Sequence, residues 1–151
     1  MPARYRFGHA WHVDAAPERV RALLEDVARY DAWWPAVRVV GGAAGTDPGS
    51  GARAARLVVT APLGHRLRIR VVEAAPRDRE LRAAIHGDLE GWCAWRVEPD
   101  GDGSLVRFAQ HVEARASLVR LATPLLRRVL ERQHAAVMRA AADGMRAALA
   151  P

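Results

Sequence analysis

Lysine is absent from this chain of 151 residues, and all 23 of its basic residues are arginine. The absence excludes a phosphate-binding loop of the Gly-x-x-x-x-Gly-Lys type. The formal net charge of +6 has the sign that suits nucleic acids or anionic membranes. Alanine is abundant too, so the arginine content indicates a bias in amino-acid usage rather than selection for phosphate contacts. We therefore predict no nucleic-acid partner.

Cysteine and serine are nearly absent. Cys93 is the only cysteine, which excludes an internal disulfide and a cysteine metal cluster. The sequence contains neither a His-Glu-x-x-His zinc motif nor a Gly-x-Ser-x-Gly nucleophile elbow. The serines all lie near predicted turns or element ends, at Ser50, Ser104 and Ser117. We expect no covalent serine catalysis, no metal site and no cofactor.

Long apolar runs are also missing. No stretch approaches the roughly 20 apolar residues that span a bilayer, so no stable membrane insertion is predicted. Residues 1–8 carry arginines without an apolar run behind them, which is not typical of a signal peptide. A hydrophobic content of 50% is typical of a folded chain, here one domain over residues 1–151. We expect a soluble cytoplasmic protein, and its oligomeric state stays open.

Hydrophobic periodicity predicts a strand and two short helices at the start of the chain. Residues 5–14 alternate in polarity, as a half-buried strand does, and their inner face carries Phe7, His9, Trp11 and Val13. Pro17 is placed to begin a helix, because its missing N–H would have no partner in a first turn. A second helical turn is expected to end before Pro35, and it carries Tyr30, Trp33 and Trp34.

Further strands are predicted from the same alternation of polarity. They cover residues 37–40, 54–60, 66–73, 80–86, 89–98 and 105–114. Residues 41–51 are rich in glycine and predict a turn or mobile loop. Residues 100–103 read Asp-Gly-Asp-Gly, which is typical of a hairpin turn.

The C-terminal part of the chain changes to a helical period. Thr123 is a candidate N-cap, and Pro124 a candidate first residue of a helix over 124–149. Its apolar stripe is predicted at Leu125, Val129, Ala136, Ala140 and Gly144, flanked by Leu126, Leu130, Val137, Ala141 and Met145. The small residues of its second half leave room either for close packing or for a ligand. We expect a sheet of about six to seven strands that curls around this helix, antiparallel except where strand one joins it.

The order of these motifs resembles the START-like (SRPBCC) helix-grip superfamily, in its polyketide cyclase/dehydrase-type branch. The resemblance rests on Ala15-Ala16-Pro17-Glu18-Arg19-Val20, Leu24-Glu25-Asp26, Tyr30, Trp33-Trp34-Pro35, Gly87-Asp88-Leu89-Glu90-Gly91, Trp95, His134, Val137-Met138, Gly144 and Leu149. It implies an α+β helix-grip fold that holds a hydrophobic small molecule, such as a lipid, a polyketide or an aromatic metabolite, between the sheet and the C-terminal helix. Such folds serve carriers and enzymes alike, so whether this chain is an enzyme stays open.

His134 is the sharpest candidate for chemistry. A histidine in an apolar cavity can act as a general acid or base, as a polyketide cyclase or dehydratase requires, or it can fix the helix through a hydrogen bond. Gln110 shares an inner strand face with apolar residues and needs a polar partner, which His134, water or a ligand would supply. Other candidate ligand-binding residues, which can equally be core, are Trp11, Trp33, Trp34, Trp95, Phe108, Val137 and Met138.

The predicted outer face of the sheet offers a third function. It is either a solvated surface or a basic, aromatic surface for an anionic partner, and it carries Arg66, Arg68, Arg70, His86, Trp92, Arg96 and His111. Three hypotheses follow: binding of a hydrophobic small molecule, cyclase or dehydratase chemistry at His134, and an interaction module that uses the basic face.

Overall fold

The computed structural model describes residues 3–75, 77, 80–115 and 124–151, without the side chains of residues 42–44. The helices are α1 (Pro17–Glu25), α2 (Tyr30–Trp33) and α3 (Pro124–Ala148), with a 3-10 turn between the first two. The strands are β1 (Arg4–Val13), β2 (Val37–Thr46), β3 (Arg53–Thr60), β4 (Arg66–Glu73), β5 (Glu80–Gly87), β6 (Leu89–Asp100) and β7 (Gly103–Ala114). This order is the predicted one, and the candidate N-cap Thr123 lies outside the described residues.

The strands form one seven-stranded sheet in the order β1-β7-β6-β5-β4-β3-β2, in which every neighbouring pair is antiparallel. The expected α+β helix-grip fold is confirmed, but the expected exception at strand one is wrong. β1 and β2 do run in the same direction, and α1 and α2 connect them. They lie at opposite edges of the sheet, however, so β1 pairs with β7 instead.

The prediction of a loop from residue 41 is also wrong, because β2 continues to Thr46. Val40 pairs with Arg56 and Gly45 with Ala54, so residues 41–44 lie opposite Ala55 alone. Glycine tolerates the positive φ and the extra residues of such a bulge, and Gly41 has a φ of 82°. Gly41, Gly42 and Gly45 therefore lie in an edge strand, whereas Gly49 and Gly51 lie in the turn between β2 and β3.

The predicted alternation of faces is confirmed in β7. Val106, Phe108, Gln110 and Val112 are buried on the concave face, while Arg107 on the convex face is exposed. In β4 the same alternation places arginines on the convex face. One of them, Arg70, pairs at 2.6 Å with Asp47 of the β2–β3 loop, and this pairing lowers the pKa of Asp47 to about 2.

The helix α3 covers the concave face with a stripe that differs from the predicted one. Its buried residues are Val137, Met138, Ala141, Ala142 and Met145, whereas Leu125 of the predicted stripe is 76% exposed. Three of the buried residues, Val137, Ala141 and Met145, belong to the predicted flank, so the helix is rotated from the predicted stripe toward that flank. The rotation follows from where α2 contacts the helix.

The short helix α2 makes that contact through its backbone and an indole. A Cβ atom added at Gly144 would lie 1.8 Å from the carbonyl oxygen of Trp33, so only glycine allows this approach. Next to it, Trp34 Nε1 donates a hydrogen bond to the carbonyl oxygen of Val137 at 2.9 Å. Of the two explanations for small residues in α3, close packing holds at Gly144.

We expect Gly144→Ala to lower the free energy of unfolding by about 1–3 kcal/mol, as overpacking does. The sign of this change is informative. In a helix without such a contact, replacing glycine with alanine would instead raise the free energy of unfolding by about 1 kcal/mol. Urea unfolding monitored by tryptophan fluorescence measures the change.

The matched control is Gly8→Ala on the convex face of β1, where an added Cβ meets nothing within 4 Å. We expect no loss of stability there. A Gly144→Ala protein as stable as the wild type would refute the close contact between α2 and α3.

Candidate active site and ligand cavity

A cavity of about 220 Å³ lies between the concave face of the sheet and the helices. Most of its wall is apolar. Concave-face residues such as Ile69, Leu81 and Ala83 line it and are only half-buried, because their side chains border open space instead of packing against α3. The α3 residues of the wall lie between Leu130 and Met138.

Five of the seven candidate ligand-binding residues line this cavity, namely Trp34, Trp95, Phe108, Val137 and Met138. Trp11 and Trp33 are not part of its wall. Trp11 packs edge-on against Trp95, with ring centroids 5.9 Å apart, and Trp33 stacks on Trp34 at 5.6 Å. These two rings therefore support wall residues from behind.

His134 and Gln110 meet at the cavity, and a third residue joins them. His134 Nε2 lies 2.9 Å from Gln110 Oε1, and His134 Nδ1 lies 3.2 Å from His9 Nε2. Because the amide oxygen only accepts, His134 Nε2 carries the proton and donates it, and Nδ1 accepts from the N–H of His9. We call this chain of hydrogen bonds the His9–His134–Gln110 array.

Phe7 stacks face to face on the ring of His134. Their ring centroids lie 3.6 Å apart and their planes differ by 6°. Phe7 is the register partner of Gln110, and His9 that of Phe108, so β1 and β7 together form the seat for the helix side chain. The alternation of β1 identified Phe7 and His9 as inward-facing, but it carried no signal that they would contact His134.

Burial determines the protonation state of the array. Loss of hydration lowers the pKa of His134 to about 3, and the neighbouring His9 adds to the effect. Burial lowers the pKa of His9 as well. Both imidazoles are therefore neutral at neutral pH, and both nitrogens of His134 already have protein partners.

Cys93 is the register partner of Gln110 on β6 and also lines the cavity. Burial raises the pKa of its thiol to about 12, so it stays protonated and unreactive at neutral pH. Among the described residues, no three His, Cys, Asp or Glu side chains converge in a way that would hold a metal ion.

Three charged residues line the cavity, namely Glu25, Arg53 and Glu73. Arg53 and Glu73 form a bidentate ion pair at 2.7 and 3.2 Å. At another part of the wall, Gln133 Oε1 accepts the backbone N–H of Leu63 at 3.0 Å and fastens the β3–β4 loop to α3. Sequence patterns did not single out these contacts, because each joins segments that are far apart in the chain.

On the convex face of the sheet, polar and aromatic side chains contact one another in small separate groups. Trp92 stacks on His111 at 4.4 Å, Arg82 lies 4.2 Å above the Trp92 ring, and His86 Nδ1 lies 3.0 Å from Glu90 Oε2.

In the described part of the chain, no helix is long and apolar enough to cross a membrane.

A family model described as polyketide cyclase / dehydrase and lipid transport matches residues 6–150. A comparison with curated proteins gave no match. A START superfamily protein from Mycobacterium smegmatis shares the fold with a TM-score of 0.72 and 14% identity, over 95% of this chain and 96% of its own. The Zhui aromatase/cyclase from Streptomyces sp. R1128 has a TM-score of 0.72 and 19% identity, over 97% of this chain and 94% of its own. Identities this low establish the fold alone.

We expect His134 to make stability depend on acid pH. The unfolded chain protonates this histidine near its ordinary pKa of about 6.5, whereas folded His134 is protonated only near pH 3. The contribution is therefore complete above about pH 6.5 and is lost as the pH falls toward 3. His134→Phe, which keeps a ring against Phe7, should reduce the slope of unfolding free energy against pH between about 7 and 4.5.

Chemical unfolding across that pH range measures the slope, and only the difference between variant and wild type counts, because other groups also titrate there. His111→Phe on the convex face of β7 controls for the loss of an imidazole. Equal slopes for His134→Phe and the wild type would contradict a neutral, buried His134.

Proposed function

Because the chain belongs to the polyketide cyclase/dehydrase and lipid transport family, we propose that it binds a compact hydrophobic molecule in the cavity between sheet and α3. The observation that supports this most is the open, mostly apolar space itself. Close-packed interiors leave few voids larger than a water molecule, so a cavity of about 220 Å³ indicates a site for a ligand.

The size of the cavity limits the ligand. An apolar protein cavity of about 150 Å³ holds one benzene molecule, so 220 Å³ suits a molecule of about two fused rings. Trp34, Trp95 and Phe108 on the wall favour a flat aromatic ring system, through stacked and edge-on contacts. A compact aromatic metabolite or polyketide fits this space better than a long acyl chain.

Cyclase or dehydratase chemistry at His134 is the second candidate function. It is favoured by the convergence of His134 and Gln110 on one cavity and by the aromatase/cyclase named among the similar structures. A pKa of about 3 is far from the value near the working pH that suits a general acid or base. Both ring nitrogens are also paired within the protein, and these two facts favour binding without reaction.

Filling the cavity should abolish binding. Ala83→Phe places a ring in the space that Ala83 borders, and we expect the affinity for the fluorescent two-ring probe 1-aminonaphthalene to fall by about tenfold or more. Fluorescence titration measures the affinity, and a thermal melt shows that the variant is folded.

Ala84→Phe is the matched control, because Ala84 is the next residue of β5 and points to the convex face. We expect it to bind the probe like the wild type. A folded Ala83→Phe protein with undiminished affinity would place the ligand elsewhere, and absence of probe binding to the wild type would refute the proposal.

Chromatography with mass detection distinguishes carrier from enzyme, because a cyclised thioester keeps its mass but changes its retention time. We expect a linear poly-β-ketone thioester, incubated with the protein, to show the same retention time and mass as after incubation without protein. Loss of one water molecule from the recovered thioester, abolished in His134→Phe, would establish the dehydratase alternative instead.

A further inference from the structure

The side-chain amide of Gln110 is only half satisfied by the protein. Its oxygen accepts the N–H of His134 at 2.9 Å, but among the described residues its NH₂ group has no hydrogen-bond partner. Gln110 is 7% exposed and lines the cavity. A buried donor without an acceptor costs stability, so the cavity is where a partner is needed.

The neighbours of Gln110 on the concave face offer no good acceptor. Across the sheet its register partners are Phe7 on β1 and Cys93 on β6. Along β7 the next residues on the same face are Phe108 and Val112. Phenyl and alkyl groups do not accept hydrogen bonds of this kind, and a protonated thiol is a weak acceptor. Only a molecule in the cavity can satisfy the NH₂ group fully.

The NH₂ group can also be reached from the cavity. Among the described residues, three side-chain nitrogen atoms are fully buried and have no hydrogen-bond partner. They are Trp11 Nε1, Trp33 Nε1 and His65 Nε2. The Gln110 nitrogen also has no partner, but it is not fully buried. It is therefore a donor that borders open space.

The rest of the array fixes the direction of this donor. Stacking on Phe7 and the contact with His9 hold the His134 ring, and the His134 N–H in turn holds the amide oxygen of Gln110. Because both His134 nitrogens are engaged, the imidazole does not itself bond a ligand. The array ends in one oriented N–H donor, and orientation in advance lowers the entropic cost of binding.

We propose that the ligand carries a carbonyl-type oxygen that accepts a hydrogen bond from the Gln110 amide, with His134 as the positioning residue for that amide. This rests on the proposed function, binding of a compact hydrophobic molecule in the cavity. The ligand class is therefore an aromatic ketone, aldehyde or quinone rather than a pure hydrocarbon, and Gln110 is its specificity-determining residue.

The test is a pair of probes that differ in one group. 2-Acetylnaphthalene carries a carbonyl where 2-isopropenylnaphthalene, of nearly the same shape, carries a terminal methylene. Displacement of 1-aminonaphthalene from the wild-type protein gives both affinities. We expect 2-acetylnaphthalene to bind about tenfold more tightly than 2-isopropenylnaphthalene. The comparison is made after each binding free energy is corrected for that compound's transfer free energy from water to octanol.

Two variants assign the preference to Gln110. Gln110→Met removes the donor and keeps the volume, while Gln110→Glu with its carboxyl ionised keeps an oxygen for His134 but removes the donor. We expect both to lose the preference for the ketone. His134→Phe should weaken the preference more than it weakens hydrocarbon binding, which a purely structural role would not do. His111→Phe on the convex face should change neither.

Each outcome bears on one of the two proposals. Equal affinities for the two probes would overturn the role of Gln110 and leave the binding function standing. Absence of binding for both would overturn the binding function and the inference with it. A ketone preference that survives in Gln110→Met would place the donor elsewhere on the wall, and if that variant fails to fold, the wild-type probe pair and Gln110→Glu still decide.

Discussion

The contact between α2 and α3 is the constraint on which the rest of the structure depends. The carbonyl of Trp33 meets the backbone of Gly144, and the Trp34 indole bonds the Val137 carbonyl. This seat fixes the rotation of α3 at its C-terminal half, where Ala141 and Met145 are fully buried. Between Leu130 and Met138 the helix lines the cavity. One helix thus closes the core and leaves a space beside it.

The same geometry explains why the polar groups of the cavity form a chain. A histidine on a helix that faces an apolar sheet needs partners for two nitrogens, and Gln110 and His9 supply them from neighbouring strands. The cost of burial falls on the charged form, so the ring stays neutral. That arrangement suits an oriented hydrogen-bond donor better than a proton shuttle, and this is the physical reason why the proposed function is recognition of a ligand.

Much of the fold could be predicted from the sequence, because strands with one buried face alternate in polarity. The inner faces of β1 and β7 and the bounds of β4 follow from that alternation. Three features did not follow. Glycines between residues 41 and 45 form a bulge instead of a turn, β1 pairs antiparallel with the last strand, and α3 is rotated away from Leu125. Each depends on which distant segment lies opposite, and a local pattern carries no such information.

The candidate site divides in the same way. In the strands the sequence by itself determined which residues face inward, because successive side chains of a strand point to opposite faces. It identified His134 and Gln110 as polar groups on apolar faces. Only the tertiary structure decided that His9, 125 residues away in the chain, would complete the array and that Trp11 and Trp33 would stand behind the wall. Periodicity gives a direction but no distance, and hydrogen bonds and cavities depend on distance.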